Sequence, residues 1–384
     1  MHNRDNHGGG KMLENQRLRA FRVACGFLTI SPLLACGSGD PGDEAPHSEV
    51  LAASASAVSK PSLSEWKRTA TSSRPPKAGC FKKTYPSTAW AEFPCAKPAR
   101  SGSSQAHAPH ATTGTAHTNL SPAGAGNAGD GYDWFAHVAG STVQIIDGSF
   151  STNNIQWEQD PDYSNVPDSY CIQINSNLFY SPQCGSYSNC VGWQQYEYSS
   201  KYVNNGSGGL FMEYWLFNYP PAGSNNCPEG WAVWDSPTCH LVGDVATLPA
   251  IAAADLGSVE IRALANPPAF EETADWVELY DGTTQTWYGT GAEAQVLSLY
   301  QAWNQVEFNV VGDWNGTEAQ FNTGASISVS GDITLATTPG GSWLSCDMNS
   351  NGGATAEYNN LNLSSTCPVT QGSSDGYFQF SESD

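Results

Sequence analysis

Trp303-Asn304-Gln305-Val306-Glu307-Phe308-Asn309-Val310-Val311-Gly312-Asp313-Trp314-Asn315-Gly316 alternates apolar and polar side chains at the period of a β-strand. Val306, Phe308 and Val310 make a face suited to a core. Trp303, Gln305, Glu307, Asn309 and Val311 make the opposite face, with Glu307 at mid-strand. Asp313 to Gly316 supply turn residues, so Ala319, Phe321 and then Ala325 to Val329 read as the return strand of a hairpin. Packed between Trp303 and Phe308, Glu307 is expected to titrate above its solution value, which suits acid or base chemistry.

Working outward, further strands are expected. Trp134–Val138 and Ser141–Ile146 read as a first hairpin around Ala139-Gly140, followed by Cys171 to Phe179, Gly192 to Tyr198 and Leu210 to Tyr219. Ser258 to Leu264, Trp276 to Tyr280 and a closing Phe378-Gln379-Phe380 complete the set, and Val245 to Asp255 is the one plausible short helix. Many short strands with long polar loops point to an all-β, antiparallel sandwich with Greek-key or jelly-roll connections. Leu210, Met212, Tyr214 and Leu216 form one face of their strand, leaving Phe211, Glu213, Trp215, Phe217 and Tyr219 on the other. In Gly192-Trp193-Gln194-Gln195-Tyr196-Glu197-Tyr198 the two faces are too alike to decide which glutamine faces the cleft. If these strands are neighbours, one sheet face carries carboxylates, amides and aromatic rings, the lining of a polymer-binding cleft.

Gln305 to Asp313, with the Gly192-Trp193-Gln194-Gln195 strand and the aromatic Glu213-to-Pro220 strand, resembles the glutamic peptidase superfamily: the eqolisins and, more distantly, neprosin-like enzymes. The resemblance spans about Cys171 to Ser330. It implies a concanavalin A-like β-sandwich, secretion and acid proteolysis, with Glu307 as general base and Gln194 or Gln195 polarising the carbonyl and holding the oxyanion. Trp193, Glu213, Trp215, Trp303, Gln305 and Asn309 would then contact substrate. A neprosin-like alignment anchored on Gly192-Trp193 puts Cys190 where that family has its first catalytic glutamate. The chain also resembles bacterial exported proteins that share Gly79-Cys80-Phe81 and Val306-Glu307-Phe308-Asn309-Val310.

Other features set the compartment. Lys11, Arg17, Arg19 and Arg22 precede the apolar Phe27 to Ala35, and Leu33-Leu34-Ala35-Cys36 is similar to a bacterial lipobox. Residues 1–35 are therefore expected to be a lipoprotein signal peptide, Cys36 the lipidated residue, 36–77 a disordered tether, 78–97 a disulfide clip, 98–128 a linker and 129–384 the sandwich. Nine cysteines follow Cys36. The pairs Cys80 with Cys95, Cys227 with Cys239 and Cys346 with Cys367 are expected, leaving one of Cys171, Cys184 and Cys190 free. From Asp130 onward Lys201 and Arg262 face 29 Asp and Glu, so nucleic acid and anionic membrane are poor partners, and membrane contact is expected only through the lipid.

No zinc spacing, phosphate-binding glycine loop or dinucleotide fingerprint occurs, so no metal or cofactor is expected. The expected substrate is a polypeptide and the expected state a monomer. Two alternatives remain open at this level: glycoside hydrolysis by Glu213 and Glu307, and a carbohydrate-binding module whose Trp193, Trp215 and Trp303 stack on sugar rings of a polysaccharide.

Overall fold

The structure, a computed structural model, describes residues 60–98, 127–162, 165–203, 206–219, 226–234, 237–266, 274–314 and 316–384. The principal elements are α1 Leu63–Thr71, β1 Gly79–Thr84, β2 Ala91–Phe93, β3 Phe135–Val138, β4 Val143–Asn153, β5 Tyr170–Ser176, β6 Val191–Val203, β7 Ser207–Phe217 and β8 Cys239–Val242. They continue with β9 Val259–Leu264, β10 Ala274–Asp281, β11 Thr286–Glu293, β12 Gln305–Gly312, β13 Glu318–Phe321, β14 Ser326–Leu335, β15 Leu344–Asp347, β16 Tyr358–Leu363 and β17 Asp375–Ser383.

Two large sheets pack as an all-β, jelly-roll-like sandwich. The first runs β2-β1-β11-β10-β9-β4-β14-β17-β16-β13, and the second runs β8-β7-β6-β5-β12-β3-β15. Pairing among these strands is antiparallel except where β13 meets β16. Between the sheets lies one core that draws Val306, Phe308 and Val310 from β12, Ile172 and Ile174 from β5, and Leu210, Met212, Tyr214 and Leu216 from β7. Those residues belong to the alternating sets, because a strand with one face on the core buries every second side chain.

Both expected hairpins are crossovers instead. Phe135–Val138 pairs with β12 and β15 in the second sheet, whereas Val143–Asn153 pairs with β9 and β14 in the first. Likewise β12 lies in the second sheet, while β13 and β14 lie in the first. Turn chemistry at Gly140 and Gly316, both at positive φ, reverses the chain. It does not decide whether the returning strand pairs beside its predecessor or faces it across the core. The expected helix at Val245–Asp255 is also replaced: Ala246–Leu248 pairs with β7, and one 3-10 segment, Ala253–Ser258, follows.

The expected tether of residues 36–77 is corrected for its described part. Ser62 caps α1, its Oγ accepting from Glu65 N at 3.2 Å, and Trp66 is fully buried against the rings of Tyr85 and Tyr280. Trp66 Nε1 donates to Ser87 O at 2.7 Å. The buried Lys83 donates to the α1 carbonyl of Ala70 and to Ser73 O, with its ammonium 3.7 Å from the Trp90 ring centroid. β1 pairs along β11, so residues 60–98 extend the edge of the first sheet. Residues 1–59, with the signal segment and Cys36, and residues 99–126 lie outside the described residues.

Among the described residues there are four disulfides, Cys80–Cys95, Cys184–Cys190, Cys227–Cys239 and Cys346–Cys367, and Cys171 is a free, buried thiol. Four such bridges fit an exported protein. Among the described residues no helix is long and apolar enough to cross a membrane.

Burial of the Trp66 indole ties residues 60–98 to the sandwich. Trp66→Ala is expected to lower unfolding free energy by about 3–5 kcal/mol, measured by denaturant titration of the full chain. A loss below about 1 kcal/mol would mean that α1 contributes nothing to the fold.

Candidate functional site

β12, β5, β6 and β7 are consecutive in the second sheet, and their register forms a straight cross-strand row. Glu307 pairs with Asn175, Asn175 with Gln195, and Gln195 with Glu213. One step along, Asn309, Gln173, Glu197 and Phe211 make a parallel row, and on the other side Trp193 pairs with Trp215. All these side chains are on the face turned away from the sandwich core. The choice between the two glutamines follows from the same parity. Gln195 stands between Glu213 and Asn175, whereas Gln194 points to the other sheet and donates from Nε2 to Asp275 Oδ2 at 3.0 Å.

Hydrogen bonds tie the row together. Trp215 Nε1 donates to Gln195 Oε1 at 2.7 Å, and Gln195 Nε2 reaches Gln173 Oε1 at 3.4 Å. Asn175 Nδ2 donates to both Gln173 Oε1 at 3.1 Å and Glu307 Oε2 at 2.8 Å. The second bond to Glu307 Oε2 comes from the backbone N–H of Thr355 at 3.0 Å. Glu307 Oε1 is buried and has no hydrogen-bond partner among the described residues. Beyond Gln195, Glu213 Oε2 lies 3.1 Å from His240 Nε2, and the His240 ring centroid is 4.0 Å from that of Trp215.

Carboxyl groups dominate the electrostatics around Glu307. Burial, then the nearby Asp133, push its pKa well above the usual carboxylate range, and Asn175 and Thr355 oppose this only in part. Asp133 is pushed up to about 7 and Glu382 to about 8, in both cases chiefly by burial. Asn309 Nδ2 donates to Asp133 Oδ2 at 3.0 Å and to Glu382 Oε2 at 3.3 Å. Glu357 accepts from Gln173 Nε2 and from Thr355 Oγ1. Among the described residues, no group of three or more His, Cys, Asp or Glu is placed to hold a metal ion.

The expected site residues therefore divide. Glu307, Gln195, Glu213, Trp193, Trp215, Gln305 and Asn309 share the outer face of one sheet. Gln194 and Trp303 do not. Trp303 precedes β12, where Ala302 breaks the extended backbone, so strand parity stops at Gln305; the indole stacks on Tyr196 in the main core at 5.5 Å. Glu307 accordingly has neither Trp303 nor Phe308 beside it, since Phe308 also points inward.

Asn309 is engaged by two carboxyls, and Gln305 Oε1 accepts from Asn351 N at 2.7 Å. Glu213, Trp193 and Trp215 are fully buried. Glu213 and Glu307 stand three strand spacings apart, about 14 Å between backbones, against roughly 5 to 9.5 Å between the carboxyls of glycoside hydrolases. Cys190 is bonded to Cys184.

Several members of the site escaped sequence reasoning: Gln173, Asn175, His240, Thr355, Glu357, Asp133 and Glu382. For the first two a signal existed, since Gln173 and Asn175 alternate with Ile172 and Ile174. Glu382 likewise continues the alternation of Phe378 and Phe380 in β17, whereas the others come from segments without usable periodicity. A groove of about 420 Å³ lies elsewhere, on the first sheet beside α1, lined by Lys67, Asp147, Glu260, Arg262 and Asp332 among others. Its charges pair with one another, Lys67 with Glu260 and Arg262 with Asp147, and none of the expected site residues lines it.

The buried acids give stability a pH dependence of definite sign. Asp275 and Glu278 are pushed to about 7 and Glu158 to about 9, mainly by burial, alongside Asp133, Glu382 and Glu307. Unfolded, such groups lose their protons near pH 4. Between there and their folded values the native state holds more protons, so stability falls as pH rises. Lys83, lowered to about 8, acts oppositely, but only above that pH. The melting temperature is expected to be highest at about pH 4–5 and to fall steadily toward about pH 9 in scanning calorimetry. A flat or rising profile would contradict the burial of these carboxyls.

No protein-family model matches the chain, and no curated protein matches its sequence.

Proposed function

We propose that the chain is an exported peptidase of glutamic type, with Glu307 as general base and Gln195 as oxyanion donor. The observation that supports it is the row Glu307–Asn175–Gln195, in which one carboxylate oxygen is held by two donors and the other, Oε1, has no partner among the described residues. A water held at Oε1 would be the nucleophile. Glu307 takes a proton from that water as the oxygen adds to the peptide carbonyl, and Gln195 Nε2 donates to the resulting oxyanion. The proton then passes from Glu307 to the departing amine as the C–N bond breaks.

Glu307 is 1% exposed, and backbone donors of Asn351 and Thr355 lie on Gln305 and Glu307. Entry of a polypeptide thus requires residues 348–357 to swing away. Burial of Trp193, Trp215 and Trp303, and the wide separation of Glu213 from Glu307, favour this reading over sugar stacking or a two-carboxylate glycosidase.

The acid limb of activity belongs to Glu307, whose raised pKa sets where the base form appears. The alkaline limb belongs to Asp133 and Glu382, whose ionisation puts like charge beside the site. A bell-shaped profile is expected against unfolded protein substrates, with its alkaline side near pH 7–8 where Asp133 and Glu382 ionise. Glu307→Gln keeps both acceptor bonds and should reduce kcat by about 100- to 10,000-fold. Gln195→Ala should cost about 3 kcal/mol of transition-state stabilisation with KM little changed, whereas Gln194→Ala should affect stability rather than turnover. Full activity of Glu307→Gln would remove the proposal.

Lipid anchoring through Cys36 is part of the same proposal, supported by the ordered basic, apolar and Leu33-Leu34-Ala35-Cys36 segments. Cys36→Ser is expected to abolish acyl labelling and leave an uncleaved precursor. A processed, soluble product from that variant would leave secretion without an anchor.

A further inference from the structure

A glutamine that serves an oxyanion must present its NH2 end, because the carbonyl end would repel the developing charge. The two ends are nearly the same size, so packing alone does not choose between them. The amides beside Gln195 do not fix the choice either. Gln173 and Asn175 could turn over together with it wherever the carboxyls they face, Glu357 and Glu307, carry a proton and donate where they now accept. One group bonded to the Gln195 amide has a single polarity. The indole N–H of Trp215 is a donor only, and it lies 2.7 Å from Gln195 Oε1.

Resting on the assignment of Gln195 as oxyanion donor, we propose that Trp215, seated by His240, is the positioning residue that holds the Gln195 amide with its NH2 end toward Glu307. Trp215 and Gln195 are diagonal neighbours on β7 and β6, and with Oε1 taken by the indole, Nε2 faces β5 and Gln173. Three rings hold the indole. His240 lies 4.0 Å away, Trp234 meets it edge-on at 5.4 Å, and Phe217 is parallel to it at 6.1 Å. Together with Trp193 and Phe217, Trp215 forms a cluster separate from the main sandwich core. The Glu213–His240 contact serves the same end, since it engages a carboxylate oxygen next to Gln195 in register that would otherwise compete for the amide NH2.

Replacing Trp215 by benzothienylalanine keeps the ring shape and removes the N–H; Trp215→Phe is the simpler variant. In the full chain either is expected to lower kcat about 10- to 100-fold with KM within about twofold; the melting temperature should stay nearly unchanged in the benzothienyl variant and fall in Trp215→Phe, which leaves part of a buried ring's space empty. Because the effect passes through Gln195, adding Trp215→Phe to Gln195→Ala should cause no further loss, a result that a structural or substrate-binding role would not give. Wild-type kcat in the benzothienyl variant overturns the proposal, as do losses that multiply in the double variant. Glu307→Gln and Gln195→Ala test the peptidase assignment separately, so its failure is distinguishable from this one.

Discussion

The antiparallel pairing of β5 between β6 and β12 is the constraint on which the site depends. It brings Asn175 opposite Gln195 on one side and Glu307 on the other, and so joins segments more than a hundred residues apart in sequence. A slip of one residue on any of the three strands would turn its polar set into the core and its apolar set outward. Val306, Phe308, Ile172, Ile174, Tyr196 and Met212 hold that register from the core side. The apolar face thereby determines which groups meet on the polar face.

That polar face is costly to bury. Asp133, Glu307 and Glu382 lie within the fold with amides rather than cations as neighbours, and Arg262 is occupied on the other sheet by Asp147. Burial of the charged forms is unfavourable, so the carboxyls retain protons well above the usual range, and the folded state favours acid. The burial that raises the pKa of Glu307 is thus the same burial that favours the folded state at low pH. Amides suit such surroundings because they donate and accept without carrying charge.

The N-terminal segment has a different part. α1 and β1 dock on β11 and beside Tyr280, on the first sheet, while the amide row lies on the outer face of the second. Trp66 and Lys83 make this docking specific, the first through buried aromatic contacts and the second by closing the carbonyl end of α1. The segment completes a sheet edge and does not contact Glu307.

Much of this was legible in the sequence because period-two patterning is local. Val306, Phe308 and Val310 against Glu307 and Asn309, and Leu210, Met212 and Tyr214 against Glu213 and Trp215, declared strands and faces without any knowledge of partners. Cysteine spacing likewise identified three of the four disulfides. The choice of Gln195 over Gln194 was not legible, because the faces of β6 both carry amides and aromatics and only its neighbours reveal which points outward. Nor was the sheet to which a returning strand belongs, since Gly140 and Gly316 permit a reversal without specifying its destination. Trp303 misled because strand parity was extended two residues past the start of β12. His240, Thr355 and Asp133 reached the site from loops and a short strand, where no repeat of side chains marks a face. By itself, then, the sequence determined which residues alternate and which cysteines lie close along the chain. Tertiary structure alone decided which strands became neighbours, because that depends on how two apolar faces close over one core, and closure is a property of the whole chain.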